Sequence, residues 1–314
     1  MPSLTVVVPA TNRPSTLPAC LAAIRAADDA PEELIVVDGP AGAGPARARN
    51  AGAWSAAGEI LVFVDADVVV HDDVFRRLRF AFEADRELAA VFGSYDDGPT
   101  AEGVVSAFRN LLHHHVHQEA AGPATTFWAG VGAIRREVFL RAGGFDADRY
   151  DRPSIEDVEL GMRLSGSGAR IVLDPRILGT HLKTWTLADM IRTDFARRGV
   201  PWVELLLRRG RGSSALNLGW RHRLSALACL GVALGVGTRR PPLAVGSALA
   251  LVALNRSFYG LLLRRRGPAE AAAGVGLHAV HHLVAVAAVP AGVLAHLRNG
   301  TDPGASVSSD STPH

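Results

Sequence analysis

The feature that most limits the fold is a series of five short apolar segments rich in β-branched residues, at 4–8, 33–37, 60–64, 88–93 and 171–173. Helical patterns separate them, over 16–27 after a Pro-bearing turn, 45–57, 73–84, 137–142 and 155–165. Strands alternating with helices in this way predict βαβ units around a mostly parallel sheet. In such sheets ligands bind beyond the carboxyl ends of the strands. The residues that follow each strand are therefore the ones to inspect.

The pattern changes near residue 220. Polar residues thin out into apolar runs at 224–237, at 243–254 with a continuation through 258–263, and at 271–297. A bilayer-spanning helix takes roughly 20 apolar residues. The last run is long enough, the first is short, and the second is interrupted by Asn255 and Arg256. Arginines at Arg239, Arg240 and 264–266 punctuate the ends of these runs, a placement that suits anionic headgroups. Two or three membrane helices are expected, with buried helices of a soluble protein as the alternative. A composition of 48% hydrophobic residues and a mean hydropathy of +0.15 agree with lipid contact.

A formal net charge of only +2 supplies no global field for nucleic acid, and no nucleic-acid partner is expected. Two cysteines, Cys20 and Cys229, exclude a disulfide framework and fit a reducing cytosol. The first residues show no basic segment or cleavage site, so no signal peptide is expected. Residues 299–314, rich in Gly, Ser, Asp, Thr and Pro, read as a disordered tail. The expected organisation is an α/β domain over 1–220, a membrane-associated helical region over 221–298, and that tail.

The strongest local signal is Asp65-Ala66-Asp67, directly after the apolar run 60–64. Two carboxylates at the end of a buried strand are costly unless a cation compensates them. Mg²⁺ or Mn²⁺ would do so while bridging the diphosphate of a nucleotide. A surface turn with two solvated aspartates is the alternative. At the end of the first strand, Pro9, Thr11 and Asn12 offer backbone groups and short side chains to a base or ribose, although a plain turn looks the same. Asp38 closes the second strand as a further acceptor at that edge. Arg47 and Arg49, at i and i+2, do not share a helix face, so at most one reaches a diphosphate. Glu156 and Asp157 open a helix, where acidic residues also complement the helix dipole.

Taken in order, Val8-Pro9-Ala10-Thr11-Asn12-Arg13, Val37-Asp38-Gly39, Ala48-Arg49-Asn50, Asp65-Ala66-Asp67, Trp128-Ala129-Gly130 with Gly143-Gly144-Phe145-Asp146, and Glu156-Asp157 resemble the family 2 glycosyltransferases, inverting enzymes with the Rossmann-like GT-A fold. The resemblance implies a donor site formed by Pro9, Thr11, Asn12, Asp38, Arg49, Asn50 and Asp65, with Thr11 and Asp38 on the base and ribose. It implies metal on Asp67, a pocket of Trp128, Ala129, Gly130 and Glu156 for acceptor and donor sugar, and Asp157 as the general base. Similar enzymes often carry a histidine near His181, which would complete the metal site, with Lys183 meeting phosphate oxygens. A structural His181 is the alternative.

The chain departs from the family at Gly39-Pro40-Ala41-Gly42, where further Ser or Asp residues are usual. It also offers only Arg197-Arg198-Gly199-Val200-Pro201-Trp202 where processive synthases carry Gln-x-x-Arg-Trp, which favours transfer of a single sugar. The expected function is a cell-envelope enzyme at the cell membrane, its catalytic domain facing the cytoplasm. It would pass a sugar from a UDP- or GDP-linked donor to a lipid-linked or other membrane-associated acceptor. A catalytically silent nucleotide-sugar-binding scaffold and a nucleotidyltransferase are the alternatives. His113, His114, His115 and His117 read as a partly exposed helix face, and His278, His281 and His282 share a face of the last apolar run.

Overall fold

The computed structural model describes residues 1–209 and 219–300. Most of the expected tail lies outside the described residues. The first strands form where the β-branched runs predict them: β1 (Leu4–Pro9), β2 (Glu33–Val37) and β3 (Ile60–Val64). They alternate with α1 (Leu17–Ala26) and α2 (Pro45–Ser55), each opened by a proline in its first turn, where its missing N–H costs nothing. After β3 come β4 (Val68–Val70), α3 (Val74–Ala84), β5 (Leu88–Tyr95), α4 (Val104–Glu119), β6 (Gly122–Ala124), β7 (Val131–Arg135), α5 (Arg136–Arg141), α6 (Glu156–Gly166) and β8 (Arg170–His181).

The sheet is mixed, which corrects the mostly parallel expectation. Its order is β2-β1-β3-β7-β5-β8-β4, with β6 alongside β8. β1 runs parallel to β2 and β3, and β5 parallel to β8. β7 is antiparallel to both β3 and β5, and β4 is antiparallel to β8. The short strands β4, β6 and β7 supply the antiparallel pairings, and each is too brief or too Gly-interrupted to stand out in the sequence.

Both faces of the sheet are covered, and successive residues divide between them as a period of two requires. Leu4, Val6, Val8, Ile60, Val62 and Val64 pack with Cys20, Ile24, Phe75 and Leu78 on one face. Val7, Leu61 and Phe63 pack on the other with Phe139, Phe145 and Leu160.

Beyond β8 lie α7 (Leu187–Arg192), a π-helical segment (Thr193–Gly199) and α8 (Val200–Arg209). The three apolar runs all form helices: α9 (Trp220–Gly237), α10 (Pro241–Leu254) and α11 (Arg256–Gly300), the last broken at Gly267. Phe258, Leu261 and Leu262 of α11 pack on Phe108 and Leu111 of α4, which joins these helices to the α/β part.

Of the two or three expected spans, one described helix is long and apolar enough to cross a membrane, the segment Arg256–Asn299. Only 22% of its most apolar stretch is buried, and Leu227, Leu234, Leu249, Val252, Leu294 and Leu297 are exposed across the three helices. Large exposed apolar patches are where lipid or protein contacts form, and these side chains are the candidates for one. At 14 residues α10 rises only about 21 Å, short of a bilayer core.

Candidate active site

Two carboxylate stations stand at the carboxyl edge of the sheet, and one guanidinium joins them. Asp65 leaves β3 with its N–H donated to Gly130 O at 3.1 Å, and Val68 N–H returns to Asp65 O at 3.0 Å, closing the turn into β4. Arg49, on α2, donates through Nη2 to Asp65 Oδ1 at 2.6 Å and through Nη1 to Glu156 Oε1 at 2.8 Å. Both Arg49 and Glu156 are 4% exposed, so neither charge has an alternative in solvent. Burial would lower the Arg49 pKa, but Asp65, Glu156 and Asp157 outweigh it and hold the guanidinium firmly charged. Its Nε has no partner. Arg47 is exposed and pairs loosely with Asp148 at 3.4 Å, so the two arginines do diverge as their spacing requires.

The second station opens α6. Glu156 Oε2 accepts Ser154 N–H at 2.9 Å, so this residue fastens the loop that enters its helix while its other oxygen pairs with Arg49. Asp157 is oriented by backbone, with Oδ1 accepting Val158 N–H at 2.8 Å and Oδ2 accepting Ala129 N–H at 3.1 Å. Burial, then the Glu156 charge, pushes its carboxyl up to about 6, against the pull of Arg49 and the two N–H groups. At the first station, burial and Asp67 push the Asp65 carboxyl up while Arg49 opposes them.

Asp67 and His181 are brought together by register. Val68 pairs with His181 across β4 and β8, and Leu182 N–H donates to Asp67 O at 2.8 Å. His181 Nε2 then lies 3.6 Å from Asp67 Oδ2. Burial would raise the Asp67 carboxyl, but the His181 contact and the nearby Lys183 charge hold it below its ordinary value. Lys183 sits 4.2 Å over the Trp185 ring, where burial lowers its pKa against the opposing charge of Asp67.

An aromatic column backs this pair, and the sequence reading missed it. Tyr95, the last residue of β5, stacks on His181 with centroids 4.2 Å apart and meets Trp128 edge-on at 4.9 Å. His113 lies 4.3 Å from Tyr95 and 4.6 Å from Trp128, and His117 donates through Nδ1 to Gly93 O at 2.9 Å. Of the α4 face expected to be partly exposed, His114 and His115 stay half-buried, while His113 and His117 pack behind the site because α4 lies along β5; burial keeps the last two neutral, His117 at about 4. The only signal available in the sequence was an aromatic residue at a strand's carboxyl end.

The remaining expected residues fall into two sets. Pro9 is half-buried and Asn12 and Asp38 are open to solvent beyond β1 and β2, while Thr11 donates its hydroxyl to Ala43 O at 2.5 Å. Asn50 is committed to the fold, its amide exchanging hydrogen bonds with the Phe145 backbone at 2.8 and 2.9 Å. That exchange fixes the loop that leads to α6. Trp128, Ala129 and Gly130 line the strip between the stations, and a Cβ on Gly130 would lie 2.2 Å from the Trp128 ring, so only glycine lets the indole settle there. Among the described residues, no three His, Cys, Asp or Glu side chains are arranged as they stand to hold a metal ion.

A mannosyltransferase, PcManGT from Pyrobaculum calidifontis, solved in complex with GDP-Man and Mn²⁺, superposes with a TM-score of 0.53 at 18% identity, over 95% of this chain and 88% of that one. S. aureus TarS 1-349 matches over 95% of this chain and 92% of that one at 14% identity, with a TM-score of 0.47. The fold is GT-A. Residues 39–142 match the model of Glycosyl transferase family 2, a span that holds Arg49, Asp65, Asp67 and Trp128 and stops short of Asp157 and His181. Over those residues the chain is similar to the family 2 glycosyltransferases. No curated protein matches it.

Proposed function

We propose that this enzyme takes one sugar from a UDP- or GDP-linked donor and passes it, with inversion, to a hydroxyl of a lipid-linked or other membrane-associated acceptor. The observation that carries this reading is the division of labour among the carboxylates. Asp67 lies 3.6 Å from His181, while Asp157, across the Arg49 bridge, is oriented by two backbone N–H groups and pushed up by burial to about 6. A general base works best with a pKa near the working pH.

Asp157 would take the proton of the acceptor hydroxyl. The acceptor oxygen then attacks the anomeric carbon as the bond to the diphosphate breaks on the opposite face, which inverts that carbon. Thr11, Asn12 and Asp38 would meet the base and ribose at the open end of β1 and β2. Asp65, fixed by Arg49, would contact the donor sugar, and Trp128 to Gly130 would floor the sugar pocket with Glu156 beneath.

Asp67 and His181 fit a hard divalent ion as an anionic oxygen beside an imidazole nitrogen, provided phosphate oxygens complete the set. A bound Mg²⁺ or Mn²⁺ would supply charge neutralisation to the departing diphosphate. Lys183, with its charge already drawn toward Asp67, would add a phosphate contact. A lipid-facing acceptor follows from the exposed apolar surface of α9 to α11, with residues 1–220 as the GT-A unit on the cytoplasmic side and 221–298 at the membrane.

A thermal-shift panel of UDP- and GDP-sugars with and without Mn²⁺ tests the donor half of the proposal. A ligand at about 100 times its Kd adds about 2.7 kcal/mol to the folded state. One nucleotide class should raise the melting temperature, more so with Mn²⁺, and Asp67→Asn should remove the Mn²⁺-dependent part. No shift with any nucleotide-sugar would sink the proposal.

A further inference from the structure

Away from the glycosyltransferase site, five histidines line a cavity of about 270 Å³ between α4, α9 and α11, His115 from α4 and a cluster of four from α9 and α11. His278, His281 and His282 occupy one face of α11 at i, i+3 and i+4, and His222 faces them from α9. Ring-centroid separations are 4.4 Å for His278 to His282, 4.6 Å for His222 to His282, 5.6 Å for His281 to His282, 5.8 Å for His222 to His281 and 6.1 Å for His278 to His281.

Hydrogen bonding leaves these rings incomplete in a particular way. His281 Nδ1 contacts Asp194 Oδ2 at 2.7 Å, while its Nε2 is buried without a partner. His278 Nδ1 lies 3.0 Å from the Tyr259 hydroxyl. His282 is 1% exposed and both of its ring nitrogens are unpartnered. A buried polar atom without a partner calls for an explanation. Here three such nitrogens belong to two rings that line one cavity.

We propose that this cluster is a binding site for one imidazole-preferring divalent transition ion, Zn²⁺ being the expected species. Zn–N bonds of about 2.0–2.1 Å in a tetrahedral site place four imidazole centroids about 5 Å apart, within the observed spread. The outer contacts are also those of such a site. A ligating histidine usually gives its second nitrogen to a carboxylate or another oxygen, as His281 does to Asp194 and His278 to Tyr259. The four nitrogens do not converge as they stand. Closing the set takes rotation of the rings, and His282 gives up no hydrogen bond in turning.

An anion is the less suitable occupant. Arg221, the guanidinium at the cavity, is already held by Glu119 at 2.6 Å, and Asp194 and Glu119 add negative charge around it. Asp194 also receives a two-pronged contact from Arg109 at 2.8 and 3.1 Å. An ion here would therefore tie α9 and α11 through Asp194 to α4 of the glycosyltransferase domain. The proposal does not rest on the assigned reaction.

The test uses the full chain, purified without a histidine tag in detergent and stripped by a chelator. Titration should find one tight site for Zn²⁺, and Co²⁺ in its place should give the intense visible bands of a tetrahedral nitrogen site. His222→Gln and His282→Gln should each weaken binding at least tenfold and abolish those bands, while Asp67→Asn and His181→Gln leave both intact. A wild-type protein with no saturable site, a Co²⁺ spectrum that survives either cluster variant or is lost with Asp67→Asn, or stabilisation by inorganic phosphate and not by Zn²⁺ would each overturn the proposal. Should a cluster variant fail to fold, the wild-type spectrum compared with the Asp67→Asn and His181→Gln spectra still decides.

Discussion

Replacing Arg49 by methionine removes the one group that bridges the two carboxylate stations. Asp65 keeps 30% of its side chain exposed and can recruit water, so most of the cost falls on Glu156, whose side chain is 5% exposed. Leaving one buried partner of an ion pair uncompensated costs about 3–5 kcal/mol. For a domain of this size each kcal/mol moves the melting temperature by about 2–4 °C, so a fall of roughly 6–20 °C is expected by circular dichroism at pH 7. Arg49→Met combined with Glu156→Gln should be more stable than the single variant by at least about 2 kcal/mol, because the stranded charge is gone. The Asp157 carboxyl, which Arg49 pulls down, should also move further up in the single variant. A loss below about 1 kcal/mol, or a double variant no more stable than the single one, would refute the bridge as the element that holds the site together.

Two further outcomes follow from the same geometry. The Asp157 carboxyl is raised in the fold, so its ionisation opposes folding: the penalty is absent below the ordinary carboxylate range, grows as pH rises through about 4 to about 6, and persists above. Asp157→Asn should therefore raise stability at pH 7.5 by roughly 1–3 kcal/mol and show no gain at pH 4; an equal effect at both pH values would contradict the shift. A Cβ on Gly161 would lie 2.0 Å from Phe127 N and 2.3 Å from Thr126 C, so Gly161→Ala must push α6 off the strip that supplies Ala129 N–H to Asp157. Overpacking of this kind costs about 1–3 kcal/mol. Turnover should fall more than tenfold with donor-dependent thermal shifts retained, and unchanged turnover would mean that the Asp157 contact is dispensable.

Much of the scaffold is legible in the sequence because β1, β2 and β3 are uninterrupted β-branched runs and their helices open on prolines. β7 is not, since Val131-Gly132-Ala133-Ile134-Arg135 reads as neither strand nor turn, and with it the antiparallel half of the sheet stays hidden. The motif residues were found as local strings, yet their relations are long-range. Nothing near Arg49 in the chain announces that it will hold both Asp65 and Glu156, 107 residues away. The register that faces His181 with Asp67 is likewise set by a three-residue strand. The burial of His113 and His117 could not be read either, because a histidine on a helix suits a wet face or a packed one equally. Asp194 and His281 share a contact across 87 residues and between two regions that the composition treats as separate.

The central claim, that Asp157 is the base and the Asp65 to Asp67 turn holds the donor, is tested most directly by product analysis on Asp157→Asn. Given its nucleotide-sugar and a membrane acceptor, the wild-type enzyme should release nucleoside diphosphate and no pyrophosphate. The variant should bind the donor as tightly while releasing diphosphate about 10²- to 10⁴-fold more slowly, the range a positioned base contributes. Undiminished release by Asp157→Asn, or pyrophosphate as the product, would contradict the account.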